Sequence, residues 1–351
     1  MEDSVERSKV DLKIEKFKKE VLTLLPGLDT SFLKYGTISG GLDRFFEVHF
    51  FIPPENRNLS NSPYSYNGKS VVHFSNILAL NSILQEKSIR LYNLHNLNDP
   101  REFTFSSKIF GLNEVLINDA KDNIFLLSLC ERGILADIKN EFNLWRLYGQ
   151  NGKGVILVFS IFNNPLLWRD FHISKVFYGS NKRDVFKRLI DLINEFNKTK
   201  PTISVDFGKL IAFHKSRLFE LEKEVRIIYD RRKKRAGSHS RTFYKDDKQV
   251  FPIIEPDLSK LLENKDKVQY LKMPLYTTES ESYELEIPVL KIEQIIIGYN
   301  YIEEVPKLLK TISDLCKIKL GYIPTIKQTR LKNYYWDLNK NQLLTRTIKG
   351  S

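Results

Sequence analysis

The sequence predicts an α+β protein in which helices flank a mixed β-sheet. From residue 69 onward, segments with strand-like and helix-like apolar patterns alternate along the chain. Two segments, residues 123–130 (NIFLLSLC) and 154–160 (GVILVFS), are continuous apolar runs of strand length. That composition is typical of central strands that are buried on both faces. Helices packed against such strands give the layered α+β class.

The chain is long and apolar enough to bury a substantial core. Its 351 residues, of which 42% are hydrophobic and 12% aromatic, suit one large domain with an appendage, or two domains. We expect residues 1–65 to form a helical or mixed appendage with its linker. Residues 66–325 are then the main domain, and residues 326–351 a basic tail.

The appendage is predicted to begin with a helix over residues 8–25. Apolar residues recur there at helical spacing, and Pro26 and Gly27 end the pattern. Residues 52–68 are rich in Pro, Asn and Ser and poor in aliphatic residues. This composition predicts a linker or a long loop between the appendage and the main domain.

The main domain is predicted to open with a strand over residues 70–74 (SVVHF), followed by a helix over residues 75–89 with Ser75 as its N-cap. Further strands are predicted at residues 224–230 and 292–298, and a late helix over residues 301–320. The buried stripe of the first of these helices is predicted from its apolar spacing: Ile77, Leu80, Ile83 and Leu84.

Charge and composition limit the cellular compartments and the binding partners that we expect for this protein. The net charge of +12 favours a polyanionic partner such as nucleic acid, although a lysine-rich surface from an AT-rich genome would give the same charge. No apolar stretch is long enough to span a membrane, and the N-terminus is too charged for a secretory signal. Cys130 and Cys316 do not make a disulfide framework, and they and the six scattered histidines show no metal-ligand spacing. We therefore expect a cytoplasmic protein.

Two carboxylates and a guanidinium alternate in the stretch ELEKEVRIIYD. On a strand, Glu222, Glu224 and Arg226 share one face, while Val225 and Ile227 pack behind them. One interpretation is the edge of an active site. The other is an exposed strand face with cross-strand charge pairs.

Other polar and aromatic residues are candidates for ligand contact. His73 stands at the end of a predicted strand just before a helix, where exposed amides favour anions, but it also suits a structural histidine. Asn98 and Asp99 form a turn cluster that is also compatible with an ordinary turn. Trp145 and Tyr148 lie three residues apart on a predicted helix, a spacing more often found in a core.

A run of five basic residues follows the carboxylate strand directly. One interpretation is that this run binds the phosphate backbone of a nucleic acid, and the other is that it is a solvated hairpin loop. The nucleic-acid-binding candidates are therefore Arg231, Arg232, Lys233, Lys234 and Arg235.

Several motifs together resemble one bacterial family. Over residues 71–300 the chain resembles domain-of-unknown-function family 2971. The resemblance rests on six segments in this order: HFSNILALNSILQEKSIRL, NDPREF, LSLCE, LWRLYGQNGKGVILVF, KSRLFELEKEVRII and IEQIIIG. The chain departs from the family at Phe219, where Trp is usual, and at Val225, where another aromatic is usual. Both departures look like packing changes.

That family in turn looks like the ADP-ribosyltransferases, which implies a mixed, mostly antiparallel sheet and NAD as substrate. The resemblance implies that His73 holds the adenosine-side ribose and that Tyr148, or else Trp145, stacks on the nicotinamide. Glu224 is then the catalytic carboxylate, and Glu222 completes a Glu-x-Glu pair. The remaining residues expected beside NAD are Ser75, Asn98, Asp99 and Arg226.

The chemistry of NAD cleavage agrees with this pattern. Breaking the nicotinamide–ribose bond passes through an oxocarbenium-like state that a carboxylate stabilises, and Arg226 lowers the repulsion between two close carboxylates. We expect an ADP-ribosyltransferase that modifies a nucleic acid or a protein, with a toxin or anti-phage role and a neutralising antitoxin implied by the resemblance alone. The alternatives are a non-catalytic nucleotide- or nucleic-acid-binding module and, less favoured for want of a metal-ligand cluster, a nuclease.

Overall fold

A computed structural model describes residues 2–35, 45–53, 56, 61–96, 114–168, 171–179, 183–230, 253–254, 270–279, 287–301 and 305–332. The helices in these ranges are α1 (Glu2–Leu24), α2 (Ile77–Glu86), α3 (Glu114–Asn123), α4 (Ile138–Tyr148), α5 (Arg183–Asn197), α6 (Gly208–Ala212) and α7 (Val305–Leu320). None of these described helices combines the length and the apolar character needed to span a bilayer.

The described strands are short, and most of them join one large sheet. They are β1 (Asp29–Tyr35), β2 (Phe45–Phe51), β3 (Ser70–Ser75), β4 (Ser88–Asn93), β5 (Ile124–Glu131), β6 (Val155–Ile161), β7 (Phe171–Lys175), β8 (Phe177–Gly179), β9 (Thr202–Asp206), β10 (His214–Ser216), β11 (Glu224–Asp230), β12 (Ile253–Ile254), β13 (Tyr270–Pro274), β14 (Leu290–Ile297) and β15 (Thr325–Gln328).

Ten of the described strands form the large sheet, which is mostly antiparallel. Eight of them follow the order β12-β13-β4-β5-β3-β6-β14-β15, while β11 pairs with β5 and carries β7 on its other edge. Only the β14–β15 pair of this sheet is parallel among the described residues. The prediction of an α+β fold with a mixed, mostly antiparallel sheet is therefore confirmed.

The apolar runs of the sequence become the centre of the sheet. Residues Val155 to Phe159 of β6 are all buried, and β5 is buried at six of its eight positions. Helix α2 covers one face through Leu80, Ile83 and Leu84, which are buried as predicted from their spacing. The predicted cap was wrong by one residue, because the Asn76 carboxamide and not Ser75 accepts the hydrogen bond from the Ala79 amide, at 2.7 Å.

The sheet divides at β5. The first part of this strand pairs with β4, through Phe125 and Leu126, and its last part pairs with β3, through Cys130 and Glu131. On its other edge β5 pairs with β11 from Ile124 to Cys130. Strands β3 and β4 therefore diverge around the middle of β5, and the fork between them leaves room for a cavity.

The N-terminal segment packs against the middle of the chain. Strand β2 lies between β1 and β9 in a three-stranded sheet, so residues expected in the appendage pair with residues 202–206. The ring of Phe17 packs edge-on against that of Phe196, with 5.2 Å between centroids. At the other end, β15 of the expected tail joins the large sheet, and residues 333–351 lie outside the described residues. The division into an appendage, a main domain and a tail stays a prediction.

Candidate functional site

A cavity of about 610 Å³ occupies the fork between β3 and β4. Strand β5 forms its floor, the face of α2 that carries Asn76 and Ala79 forms one wall, and β11 with the preceding turn closes one end. This volume lies within the range of small-molecule sites. Several residues that sequence analysis selected line it together: His73, Ser75, Tyr148, Glu222 and Glu224.

The first residue of β11 places its carboxylate at this end of the cavity. Glu224 is 3% exposed, and Arg226, two residues along the same strand face, is 1% exposed. Arg226 donates from Nε to Glu224 Oε1 at 2.8 Å and from Nη2 to Oε2 at 3.0 Å. Its Nη1 donates to the Ala212 carbonyl at 2.6 Å. Arg226 does not line the cavity, so it holds the carboxylate from behind.

A buried lysine bridges the two carboxylates. Lys215, from β10, donates from Nζ to Glu222 Oε2 at 2.7 Å and to Glu224 Oε2 at 3.1 Å. The ring of Phe219 lies 4.7 Å from Nζ and shields the ammonium. Sequence analysis missed Lys215 as a site residue. The feature that could have indicated Lys215 is that it belongs to the same short stretch as both carboxylates, KSRLFELEKEVRII.

Glu222 reaches the cavity by a different route from the one predicted. It ends a 3-10 helix over Arg217–Glu222, and Lys223 follows in the left-handed region with φ of 42°. The expected row on one strand face was therefore wrong for Glu222, since β11 begins only at Glu224. The carboxylate is nevertheless buried, and its Oε1 accepts a hydrogen bond from the Tyr148 hydroxyl. The alternative of an exposed strand face is wrong for the same residues, because both carboxylates and Arg226 are buried.

Charge compensation decides the protonation of this cluster. Burial on its own raises the pKa of Glu224, but the charges of Arg226 and Lys215 outweigh it and hold that pKa at about 2. Burial and the hydrogen bond to Glu222 raise the pKa of Tyr148. At neutral pH, Glu224 is therefore an anion, and the Tyr148 phenol keeps its proton.

Cys130 lies opposite Glu224 in the β5–β11 pair and lines the same cavity. Burial, followed by the nearby charges of Glu224 and Glu222, raises the pKa of its thiol well above the usual value. Because the thiolate is the reactive form, the environment works against nucleophilic chemistry at this cysteine.

His73 faces the fork from the unpaired edge of β3. Its Nδ1 lies 3.2 Å from the Ser128 carbonyl oxygen, in the middle of β5. A carbonyl oxygen only accepts, so Nδ1 carries the proton and Nε2 is left as an acceptor. Burial lowers the pKa of His73, which keeps the ring neutral. His73 thus offers a neutral acceptor nitrogen.

The two aromatic residues of α4 have different environments. Tyr148 lines the cavity, whereas Trp145 is fully buried and donates from Nε1 to Glu141 Oε1 at 3.1 Å. Trp145 packs edge-on against Phe74 and does not line the cavity. Between the two, the structure leaves Tyr148 as the ring that a ligand can reach.

Several predicted site residues fall outside the described residues. They are Asn98, Asp99, Arg231, Arg232, Lys233, Lys234 and Arg235. Their assignment to NAD or to nucleic acid stays a prediction. Within the described residues, no three His, Cys, Asp or Glu side chains converge as metal ligands do.

The comparisons with known proteins point to the same part of the chain. Residues 144–227 match a family model described as "Protein of unknown function (DUF2971)". This match includes Tyr148, Lys215, Glu222 and Glu224, so it contains most of the carboxylate end of the cavity. No curated protein and no solved structure matches the chain.

Proposed function

We propose that this protein is an NAD-dependent ADP-ribosyltransferase whose cavity at the fork of the sheet holds the dinucleotide. One observation carries the proposal. His73, Tyr148 and the two carboxylates come from four separate elements, and all of them line this one cavity. An acceptor imidazole, an aromatic ring and an ionised carboxylate are suited to a ribose, a nicotinamide ring and a developing cation, respectively.

Each group has a role that follows from its protonation state. The neutral His73 ring accepts a hydrogen bond from a ribose hydroxyl through Nε2. The Tyr148 ring stacks on the nicotinamide while its hydroxyl stays bonded to Glu222. The Glu224 anion lies where positive charge develops on the other ribose, and Arg226 fixes its orientation.

The reaction breaks the bond between the nicotinamide nitrogen and the ribose, and the electron pair leaves with nicotinamide. The ribose carbon becomes oxocarbenium-like, as in glycoside hydrolysis, and the buried carboxylate stabilises it. A nucleophile of the acceptor then forms the new bond to that carbon. Glu222 takes the proton that this nucleophile loses.

The acceptor in this proposal is a nucleic acid or a protein, and the net charge of +12 favours a nucleic acid. A toxin or anti-phage role in the cytoplasm, with an antitoxin as a protein partner, is the setting that the family resemblance suggests. These parts rest on the resemblance and not on the geometry of the cavity.

The test is release of nicotinamide from NAD, measured by chromatography with and without bacterial nucleic acid and lysate as acceptors. Glu224→Gln is expected to lower the release by about 100-fold or more, because removing one such electrostatic stabiliser has an effect of that size. Glu293→Gln is the matched control, since Glu293 is a carboxylate of the same sheet that bonds Ser160 away from the cavity.

Circular dichroism checks that both variants fold, because Glu224→Gln leaves Arg226 without its charged partner. Should the glutamine variant fail to fold, Tyr148→Ala replaces it as the test, with a raised KM for NAD as its expected result. Full activity in a folded Glu224→Gln variant removes Glu224 from the mechanism. No nicotinamide from the wild-type protein under any of these conditions refutes the transferase.

A second candidate is a receptor that binds NAD or a related nucleotide without cleaving it. The observation that favours it is the number of donors on Glu224, whose two oxygens accept three hydrogen bonds from Arg226 and Lys215 and a further one from the Ser128 side chain. A ribose hydroxyl must compete with these donors. Calorimetric binding of NAD without release of nicotinamide is the result expected of such a receptor.

A further inference from the structure

The β4 side of the cavity carries a second polar cluster, since Tyr92 pairs with Leu126 of β5 whereas Glu224 pairs with Cys130, four residues farther along that strand. Arg90 and Tyr92 lie two residues apart on β4 and therefore on one face, and both line the cavity with Glu86, the last residue of α2. Strand β13 places Lys272 directly opposite Arg90. Sequence analysis selected none of these four residues, since they belong to three elements brought together by the fold.

Among the described residues, this cluster has more positive than negative charge. Arg90 donates from Nη2 to Glu86 Oε1, and Lys272 Nζ lies 3.2 Å from Glu86 Oε2. Two cations therefore share one carboxylate. At the other end of the cavity, by contrast, Lys215 and Arg226 are matched by two carboxylates.

The guanidinium of Arg90 is held in position before any ligand arrives. It lies over the ring of Tyr270 from β13, with 4.3 Å between the guanidinium carbon and the ring centroid. The rings of Tyr92 and Tyr270 are neighbours at 6.0 Å. Stacking on an aromatic face and pairing with Glu86 fix the plane of the guanidinium, while the side chain keeps 32% of its surface exposed.

We infer that the β4 side of the cavity, where Arg90 lines it and Lys272 lies beside Arg90, is an anion subsite that binds the diphosphate of a nucleoside diphosphate. This inference rests on the proposed function, and it adds the direction in which the dinucleotide lies. A fixed guanidinium is well matched to phosphate oxygens, and a neighbouring ammonium adds charge. The diphosphate then lies between β4 and α2, beside Arg90, and the ribose bond to be cleaved lies at Glu224.

The test is calorimetric binding of ADP and of adenosine to the full chain and to three variants. Arg90→Gln is expected to weaken ADP binding by about 10-fold or more, the loss typical of one hydrogen bond to a charged group, and to leave adenosine binding within about twofold. Lys272→Gln is expected to weaken ADP binding by a smaller factor. Arg132→Gln, at an exposed arginine that does not line the cavity, is the control and is expected to change neither.

Salt dependence gives a second readout. Raising the salt concentration is expected to weaken ADP binding in the wild-type protein and to weaken it less in Arg90→Gln. Equal ADP affinity in the wild-type protein and Arg90→Gln overturns the subsite, and so does an equal loss of adenosine and ADP affinity. Failure of the wild-type protein to bind ADP overturns it as well. If Arg90→Gln does not fold, Arg90→Lys takes its place, because it keeps the positive charge and removes the planar guanidinium. The subsite is then refuted if ADP affinity is unchanged both in Arg90→Lys and in Lys272→Gln.

Nicotinamide release measured on the same proteins separates this inference from the transferase. Binding of ADP that depends on Arg90, without any release from NAD, keeps the subsite and refutes the transferase. Release from NAD with a KM that does not change in Arg90→Gln keeps the transferase and refutes the subsite.

Discussion

The Lys215→Met variant tests whether one buried ammonium compensates both carboxylates. Methionine is unbranched and similar in length, so the change removes the charge with little loss of packing. Lys215 Nζ lies 2.7 Å from Glu222 and 3.1 Å from Glu224, and all three side chains are at least nine-tenths buried. In the variant, Glu224 still has Arg226, but Glu222 loses the cation that bonds it.

The size of the effect follows from this asymmetry. Leaving a buried charge without its partner costs about 3–5 kcal/mol, and we expect a loss of about 3 kcal/mol or more in the free energy of unfolding near neutral pH. The loss at Glu224 itself is smaller than that at Glu222, since the guanidinium of Arg226 remains bonded to both of its oxygens.

The pH dependence has a definite sign. The folded-state pKa of Glu224 is about 2, below the value of about 4.3 for an unfolded glutamate. The ion-paired carboxylate therefore stabilises the wild-type fold above about pH 4.3, and this contribution is lost as the pH falls towards 2. Lys215→Met lacks part of this ion-pair stabilisation already at neutral pH. The difference between the two proteins is therefore expected to narrow as the medium becomes more acidic.

Urea unfolding of both proteins at a series of pH values measures this difference. Lys16→Met is the control, because Lys16 is exposed and its pair with Glu20 is long, at 3.9 Å, and a change within about 0.5 kcal/mol is expected there. A loss below about 1 kcal/mol in Lys215→Met near neutral pH would refute the reasoning, because surface pairs already reach that value. So would a difference that stays constant from neutral to acidic pH.

Two further predictions concern stability. Burial and the charge of Arg226 lower the pKa of His214 to about 3. As the pH falls below about 6.5, His214 therefore binds a proton in the unfolded chain but not in the folded protein, and the folded protein loses stability. Urea unfolding of His214→Gln is therefore expected to show a shallower loss of stability between neutral and mildly acidic pH, and an unchanged slope contradicts the assignment. Asn76→Ala is expected to cost about 1 kcal/mol through the lost cap of α2, while Ser75→Ala costs less than about 0.5 kcal/mol. Thermal unfolding ranks these two variants, and a larger loss at Ser75 reverses the cap assignment.

Much of the fold could be predicted from local patterns. The apolar runs at residues 123–130 and 154–160 correspond to β5 and β6, and the helical spacing before Leu84 corresponds to α2. The period of two along a strand was enough to put Glu224 and Arg226 on one face. It failed for Glu222, because nothing in the alternation of residues shows that Lys223 adopts a left-handed conformation and separates a 3-10 helix from the strand.

The sequence by itself determined several local elements, among them β5, β6 and α2, and it put Glu224 and Arg226 on one strand face, because these depend on spacing along one segment. Only the tertiary structure decided that β3 and β4 diverge on β5, that Lys215 joins the two carboxylates and that Lys272 lies opposite Arg90. Those contacts depend on strand order and register, and they join elements far apart in the chain. The free energy that selects one order comes from burying the whole sheet, so no single segment contains it.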